Sequence, residues 1–184
     1  ATTFRTGLGY WLAPGALRAR LSLGSGFKAP SLYQTYSSYG TPNLRPSRTL
    51  GGDIGFDLTA GPWGGELVYF QNRFRDLIDF ETTSSRYFNI GRAKSEGVEA
   101  GLARKLGLFS IKASYTYLLA RDQSSGLRLL RRPIGSGAAS LTFEPTALWE
   151  TALRLRYVGQ REDFHPTLFV RQRMPSFFVW SAYG

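Results

Sequence analysis

Apolar and polar residues alternate with period two along most of the chain, and helical periodicity is hard to find. In Leu17-Arg18-Ala19-Arg20-Leu21-Ser22-Leu23 one face is Leu, Ala, Leu, Leu and the other is Arg, Arg, Ser. Leu50 to Leu58 alternates in the same way, with Gly51, Asp53, Gly55 and Asp57 on the polar side. Phe109, Ile111, Ala113, Tyr115 and Tyr117 face away from Ser110, Lys112, Ser114 and Thr116, and Trp149, Leu153, Leu155 and Tyr157 face away from Glu150, Arg154 and Arg156. Such a pattern predicts strands with one greasy face and one polar or very small face.

Nine strands are expected, at about 2–12, 15–26, 46–59, 63–80, 88–104, 108–120, 133–144, 147–160 and 175–184. Their connections alternate in character. Ala13-Pro14-Gly15, Ala60-Gly61-Pro62, Lys105-Leu106-Gly107 and Glu144-Pro145-Thr146 read as tight turns, whereas 27–45, 81–87, 121–132 and 161–174 are longer, polar and aromatic. Short turns at one end and long loops at the other is the pattern of an outer-membrane β-barrel, with the loops outside. A soluble antiparallel sandwich also alternates. Three features favour the barrel: strands near or beyond ten residues, Tyr10, Trp11, Trp63, Tyr115, Tyr117 and Trp149 near strand ends as girdle residues, and a polar face of Gly and Asp too poor to pack as a core. The fold class expected is all-β, an antiparallel transmembrane barrel.

Composition narrows the chemistry. The 184 residues include no Cys, which excludes disulfides, thiolate metal sites and a cysteine nucleophile. His165 is the single histidine, and without partner ligands a loop histidine is usually solvated. Net charge is +10, and 19 of the 23 basic residues are Arg. These cations are spread along the strands instead of gathered in one patch, so no nucleic-acid partner is expected. No apolar run is long enough for a membrane-crossing helix. Gly24-Ser25-Gly26-Phe27-Lys28-Ala29 matches a dinucleotide fingerprint, but Pro30 follows where a helix should open. Asp76 with Asp79, and Glu96 with Glu99, are three apart and point to opposite faces of a regular strand. No nucleophile or acid–base cluster can be assembled, so an enzyme is not expected, and no cofactor is called for.

Several segments resemble a known family. Gly26-Phe27-Lys28-Ala29-Pro30-Ser31-Leu32-Tyr33, followed by Tyr39-Gly40-Thr41-Pro42-Asn43-Leu44-Arg45-Pro46, is similar to the paired motif of TonB-dependent outer-membrane receptors of the cobalamin and catecholate-siderophore type. Asp76-Leu77-Ile78 and then Tyr87 to Glu99, with its Asn89, Ala93 and Gly97-Val98-Glu99, resemble a further signature of that family. Arg131-Arg132-Pro133 and Tyr157-Val158-Gly159-Gln160-Arg161 fall where the family has short motifs. The resemblance runs over essentially the whole chain in the family's order. It implies a large plugged barrel of about 22 strands, of which residues 1–184 would be a partial barrel domain, without the plug and the last strands. Where the family usually has Glu after Asn-Leu-x-Pro, this chain has Ser47. The function implied is binding and import of a scarce metal chelate, a siderophore or cobalamin, with energy delivered to the plug from an inner-membrane complex. The alternative is a small self-contained barrel with a structural or adhesive role, which would need an even number of strands and closed edges.

Candidate site residues follow from position. Tyr33, Tyr36 and Tyr39, in the loop after the second strand, suit contact with a bulky chelate, or else pack the loop and extend the girdle. Arg18, Arg20, Arg154 and Arg156 lie on the polar, lumenal side. There they attract an anionic substrate, pair with plug carboxylates, or stand in a solvated wall balanced by Asp53, Asp57 and Glu150. Arg73, Arg75, Arg86 and Arg92 gather near the outer ends of the fourth and fifth strands; Arg73 and Arg75 are candidates for phosphates of outer-leaflet lipopolysaccharide, against ordinary snorkelling.

Overall fold

The structure, a computed structural model, describes every residue except 1, 147 and 169. Its strands in chain order are β1 (Arg5–Ala13), β2 (Leu17–Lys28), β3 (Ser47–Ala60), β4 (Trp63–Glu81), β5 (Arg86–Leu106), β6 (Phe109–Asp122), β7 (Gly135–Thr146), β8 (Trp149–Val158), β9 (Arg161–Phe164), β10 (Arg171–Met174) and β11 (Phe177–Tyr183). Nine of them form one antiparallel sheet in the order β1-β2-β3-β4-β5-β6-β7-β8-β11. These are the nine strands expected from alternation. As described, β1 and β11 are edge strands that do not pair with each other. The closure that a self-contained barrel requires is therefore not seen among the described residues.

Tight turns join the strands at one end. Gly15, Gly61 and Gly107 adopt φ of 73°, 57° and 57°, a left-handed conformation that glycine enters without penalty. The turn expected at Glu144-Pro145-Thr146 is displaced. Those residues continue β7, with an irregular register between Phe143 and Thr146. Two long loops also hold structure that alternation does not announce. A short helix, α1 (Leu32–Tyr36), stands in the loop after β2. The segment expected as an open loop at 161–174 carries the β9–β10 hairpin, in which Glu162 pairs with Arg171, and Asp163 is held by Arg131 at 3.1 Å.

Register sorts the side chains into two faces. Arg18↔Asp57, Asp57↔Glu66 and Glu66↔Gly101 run across β2 to β5 on one face, while Leu21↔Ile54, Ile54↔Tyr69, Tyr69↔Val98 and Val98↔Tyr117 run on the other. The second face is uncovered: Leu21, Ile54, Leu67, Leu102, Ile111 and Leu153 are each at least 40 % exposed. Few apolar residues are buried, among them Val68, Ala93 and Ala152. A soluble sandwich would bury this face under a second sheet, and no such layer exists among the described residues. Tyr69, Tyr115, Tyr117 and Tyr157 gather toward its looped end, and Tyr10, Trp63 and Trp149 toward its turn end. Trp11 departs from the expected girdle. It sits opposite Arg18 and therefore on the polar face.

β4 has 19 residues and β5 has 21, about twice what a membrane crossing needs. Their surplus lies at the looped end, so the β4–β5 hairpin projects beyond its neighbours. The loop after β2 is fastened to this projection.

Candidate functional site

Ser31 starts α1. Its hydroxyl accepts from Gln34 N at 3.2 Å, and Gln34 Oε1 accepts from Ser31 N at 3.0 Å, a reciprocal cap that satisfies two free backbone donors. Beyond α1 the chain turns back onto the β4–β5 hairpin. Tyr87 N donates to Tyr39 O at 3.0 Å, and Thr41 Oγ1 donates to Tyr87 O at 2.6 Å. Asn89 does the most fastening: its Oδ1 accepts from Arg45 N at 2.8 Å, and its Nδ2 donates to Arg45 O at 2.9 Å and Asp76 O at 2.8 Å. Arg86 Nη1 donates to Gly40 O at 2.8 Å. Two of the segments that carry the resemblance, Tyr39 to Pro46 and the start of Tyr87 to Glu99, thus meet in one docking contact.

Ser47 takes part in the same contact. Its hydroxyl donates to Asp76 O and accepts from Ile78 N, both at 3.0 Å, and the residue is buried. Asp76, with φ of 52°, is strained for a non-glycine residue, and these bonds together with the Arg45 ion pair at 3.4 Å hold it.

Docking brings aromatic rings together at the looped end of the sheet. Tyr33 meets Tyr87 edge-on with centroids 6.2 Å apart, Phe80 meets Tyr87 at 5.0 Å, and Tyr39 meets Phe80 at 6.2 Å. Tyr33 is 58 % exposed and Tyr39 46 % exposed, so the rings are braced but still open. Tyr36 belongs to none of these ring pairs and stands exposed on α1. Sequence reasoning grouped the three tyrosines by proximity in the chain and missed Phe80 and Tyr87, which reach the cluster only through the docking. Tyr87 was already inside a recognised signature; Phe80 carried no signal of its own.

On the polar face Arg20 gathers three carboxylates, with Asp57 at 3.1 Å, Glu66 at 3.4 Å and Asp53 at 3.8 Å. Ser22 donates to Asp53. Arg18 lies flat across Gly9, where an added Cβ would stand 2.7 Å from the guanidinium. Gly97, from the Gly-Val-Glu signature, has a similar steric reason. A Cβ there would collide with the Tyr117 carbonyl and come within 2.8 Å of the Phe70 ring. The far half of the face differs. Lys112, Ser140 and Arg154 form one rung across β6, β7 and β8, and with Arg156 they line an open cleft of about 650 Å³. Arg154 stacks on Tyr183 at 4.6 Å. Among the described residues none of Arg18, Lys112, Arg154 or Arg156 has a carboxylate partner.

Comparison with known proteins gives this architecture its relatives. The family model described as "TonB dependent receptor-like, beta-barrel" matches residues 1–184. The chain belongs to this family. Its members are bacterial outer-membrane receptors and transporters rather than enzymes. Among similar solved structures, a mutant of the ferric enterobactin receptor of Pseudomonas aeruginosa shares the fold with a TM-score of 0.78 at 14 % identity, over 98 % of this chain and 32 % of that one. The siderophore receptor PirA from Acinetobacter baumannii gives 0.77 at 14 % identity, over 97 % and 33 %, and the copper transporter OprC gives 0.74 at 18 %, over 97 % and 30 %. The chain spans about a third of the length of these TonB-dependent receptor relatives.

His165 is engaged in a local turn. His165 Nδ1 accepts from Thr167 N at 3.2 Å and Leu168 N at 3.1 Å, closing a turn. Among the described residues no group of three His, Asp or Glu could hold a metal ion. Gly24 to Lys28 is strand, as the following Pro30 implied for the dismissed dinucleotide match. Arg73 and Arg75 lie on the apolar side of β4, in line with Leu67 and Tyr69, and are exposed.

Proposed function

We propose that this chain forms part of the wall of an outer-membrane active transporter. The intact protein binds a scarce metal chelate, of the siderophore or cobalamin class, at its outer loops. A plug domain coupled to an inner-membrane energy-transducing complex then drives import. The observation that carries this reading is the fastened aromatic cluster of Tyr33, Tyr39, Phe80 and Tyr87 at the outward end of the β4–β5 projection. Broad amphipathic rings held by a rigid support lose little entropy on meeting a bulky ligand, which favours recognition.

Below the cluster, the polar face acts as a lumen wall. Arg18, Lys112, Arg154 and Arg156 offer cations to carboxylates of the plug or to an anionic substrate passing inward. Arg20 already has its partners and serves the wall itself. In this reading residues 1–184 are a partial barrel domain, and the plug and further strands belong to the same receptor.

The test is uptake. In the native receptor, replacing Tyr33 and Tyr39 together by Ala is expected to lower import of its chelate about tenfold, measured with a panel of radiolabelled ferric siderophores and cobalamin. Surface abundance should be unchanged. Unaltered uptake of every chelate that the wild-type receptor imports would overturn the assignment of this cluster to ligand contact.

A further inference from the structure

The outward face of the sheet carries a concentration of positive charge that its own sequence does not neutralise. Above Tyr69 and Tyr117, two rungs cross the strands. In one, Arg48 of β3 stands opposite Arg75 of β4, which stands opposite Arg92 of β5. In the next, Arg73 of β4 stands opposite Lys94 of β5, which stands opposite Arg121 of β6. All six share the parity of the exposed apolar residues Leu50, Leu67, Tyr69, Val98 and Tyr117, so they lie on the apolar side and not on the polar one. Strands are about 4.8 Å apart and alternate residues about 7 Å apart, so each rung is roughly 10 Å wide and the two, offset by one strand, spread the six cations over roughly 14 by 7 Å.

Like charges directly opposite on neighbouring strands are destabilising. Among the described residues one carboxylate reaches the grid: Glu96, held by Lys94 at 2.9 Å and by the Tyr69 hydroxyl at 3.0 Å. Among the described residues Arg48, Arg75, Arg92 and Arg121 have no side-chain partner, and Arg73 donates only to Gln71 Oε1 at 3.3 Å. Arg86, expected to join this group, is spent elsewhere on Gly40 O. Isolated arginines at a membrane rim need no account beyond snorkelling. Six in register do, because each raises the cost of the next unless an anion lies over them. An open cleft of about 440 Å³ lies at this place, walled by Arg48, Arg73 and Arg75 with the apolar side chains of Phe27 and Leu50. Guanidinium forks match phosphate oxygens, and the exposed Leu21, Leu23, Leu50 and Ile54 continue downward as a bed for acyl chains.

We infer that this grid binds the phosphorylated headgroup of an acyl lipid of the outer leaflet, lipopolysaccharide, with Arg48, Arg73, Arg75 and Arg92 on its phosphates and Lys94 and Arg121 at its margin. The inference rests on the outer-membrane placement proposed above. A lipid bearing several phosphates on one headgroup answers the number and spacing of the cations better than a phospholipid with one.

The experiment uses the native protein taken from the outer-membrane fraction, which checks that placement first. Retained lipopolysaccharide is counted by native mass spectrometry after a detergent wash, for wild type, for R48Q/R73Q/R75Q, for R75Q alone, and for R104Q at the opposite rim. The wild type and R104Q should retain lipopolysaccharide equally, R75Q about threefold less, and the triple variant at least tenfold less, with heat-modifiable mobility in gels unchanged. If the triple variant fails to fold, R75Q alone decides the matter. Equal retention by R75Q and wild type would overturn the inference. So would displacement of the lipid by phospholipid or inorganic phosphate at equal concentration, because the grid would then be a nonspecific anion surface.

Discussion

Between Arg18 and Arg75 the sheet is held by backbone ladders running unbroken through β2, β3 and β4. Beyond Arg75 the molecule is built differently. The loop that follows β2 stays on the β4–β5 projection through a handful of side-chain hydrogen bonds, most of them from Asn89, Ser47, Thr41 and Arg86. The wall therefore tolerates change at many positions, whereas the projection depends on a few. The proposed function uses both properties: there the wall excludes lipid and encloses water, while the projection holds rings in place for recognition.

The sharpest way to break this contrast is Asn89→Ala. It removes one acceptor and two donor contacts at once and leaves the Arg45 and Asp76 backbone groups without them. The projection should lose about 1–2 kcal/mol of local stability. Residues 31–46 should become cleavable by external protease on intact cells, and chelate uptake should fall several-fold while the barrel still inserts. A protease-resistant loop in this variant would show that the fastening lies elsewhere.

Arg20→Ala probes the wall in the same terms, with a smaller expected effect. It leaves Asp53, Asp57 and Glu66 facing one another without their cation. Because the group is about a third exposed, the cost is screened to about 1 kcal/mol. Thermal unfolding in detergent should shift down by a few degrees, more at low salt than at high salt. A loss as large as that of Asn89→Ala in the projection would erase the distinction between the two regions.

The same division governs what the sequence reveals. Alternation was enough to find all nine strands of the sheet and to assign Arg18, Arg20, Arg154 and Arg156 to one face, because period two is a local property of the wall. Trp11 was misplaced by counting its nearness to a strand end. The parity of Leu8 and Tyr10 already assigns it to the other face, opposite Arg18. The β9–β10 hairpin stayed hidden because both of its faces carry charge, Glu162, Arg171 and Arg173 on one and Arg161 and Asp163 on the other, which leaves no apolar stripe to read. The helix α1 did have a readable sign, the Ser31-x-x-Gln34 cap, although flanking turn residues made the segment look like plain loop. The aromatic cluster was half legible. Tyr33 and Tyr39 stand out locally, but Phe80 and Tyr87 join them through contacts that span more than forty residues, and no local pattern carries that information. The basic grid was legible in part as well, since Arg73 and Arg75 were visible but Arg48, Lys94 and Arg121 required the register.

Everything above depends on the polar face enclosing water and the apolar face meeting lipid. Residues 1–184 contain no cysteine, so, with any cysteine elsewhere in the receptor replaced, single cysteines placed on neighbouring residues report on the two faces. Asp53→Cys and Ile54→Cys in the native receptor, labelled in outer membranes with a small water-soluble maleimide and separately with a lipid-soluble one, test it directly. The account predicts that position 53 reacts with the water-soluble reagent and position 54 only with the lipid-soluble reagent. Equal labelling of both positions by the water-soluble reagent, or the reverse pattern, would contradict it.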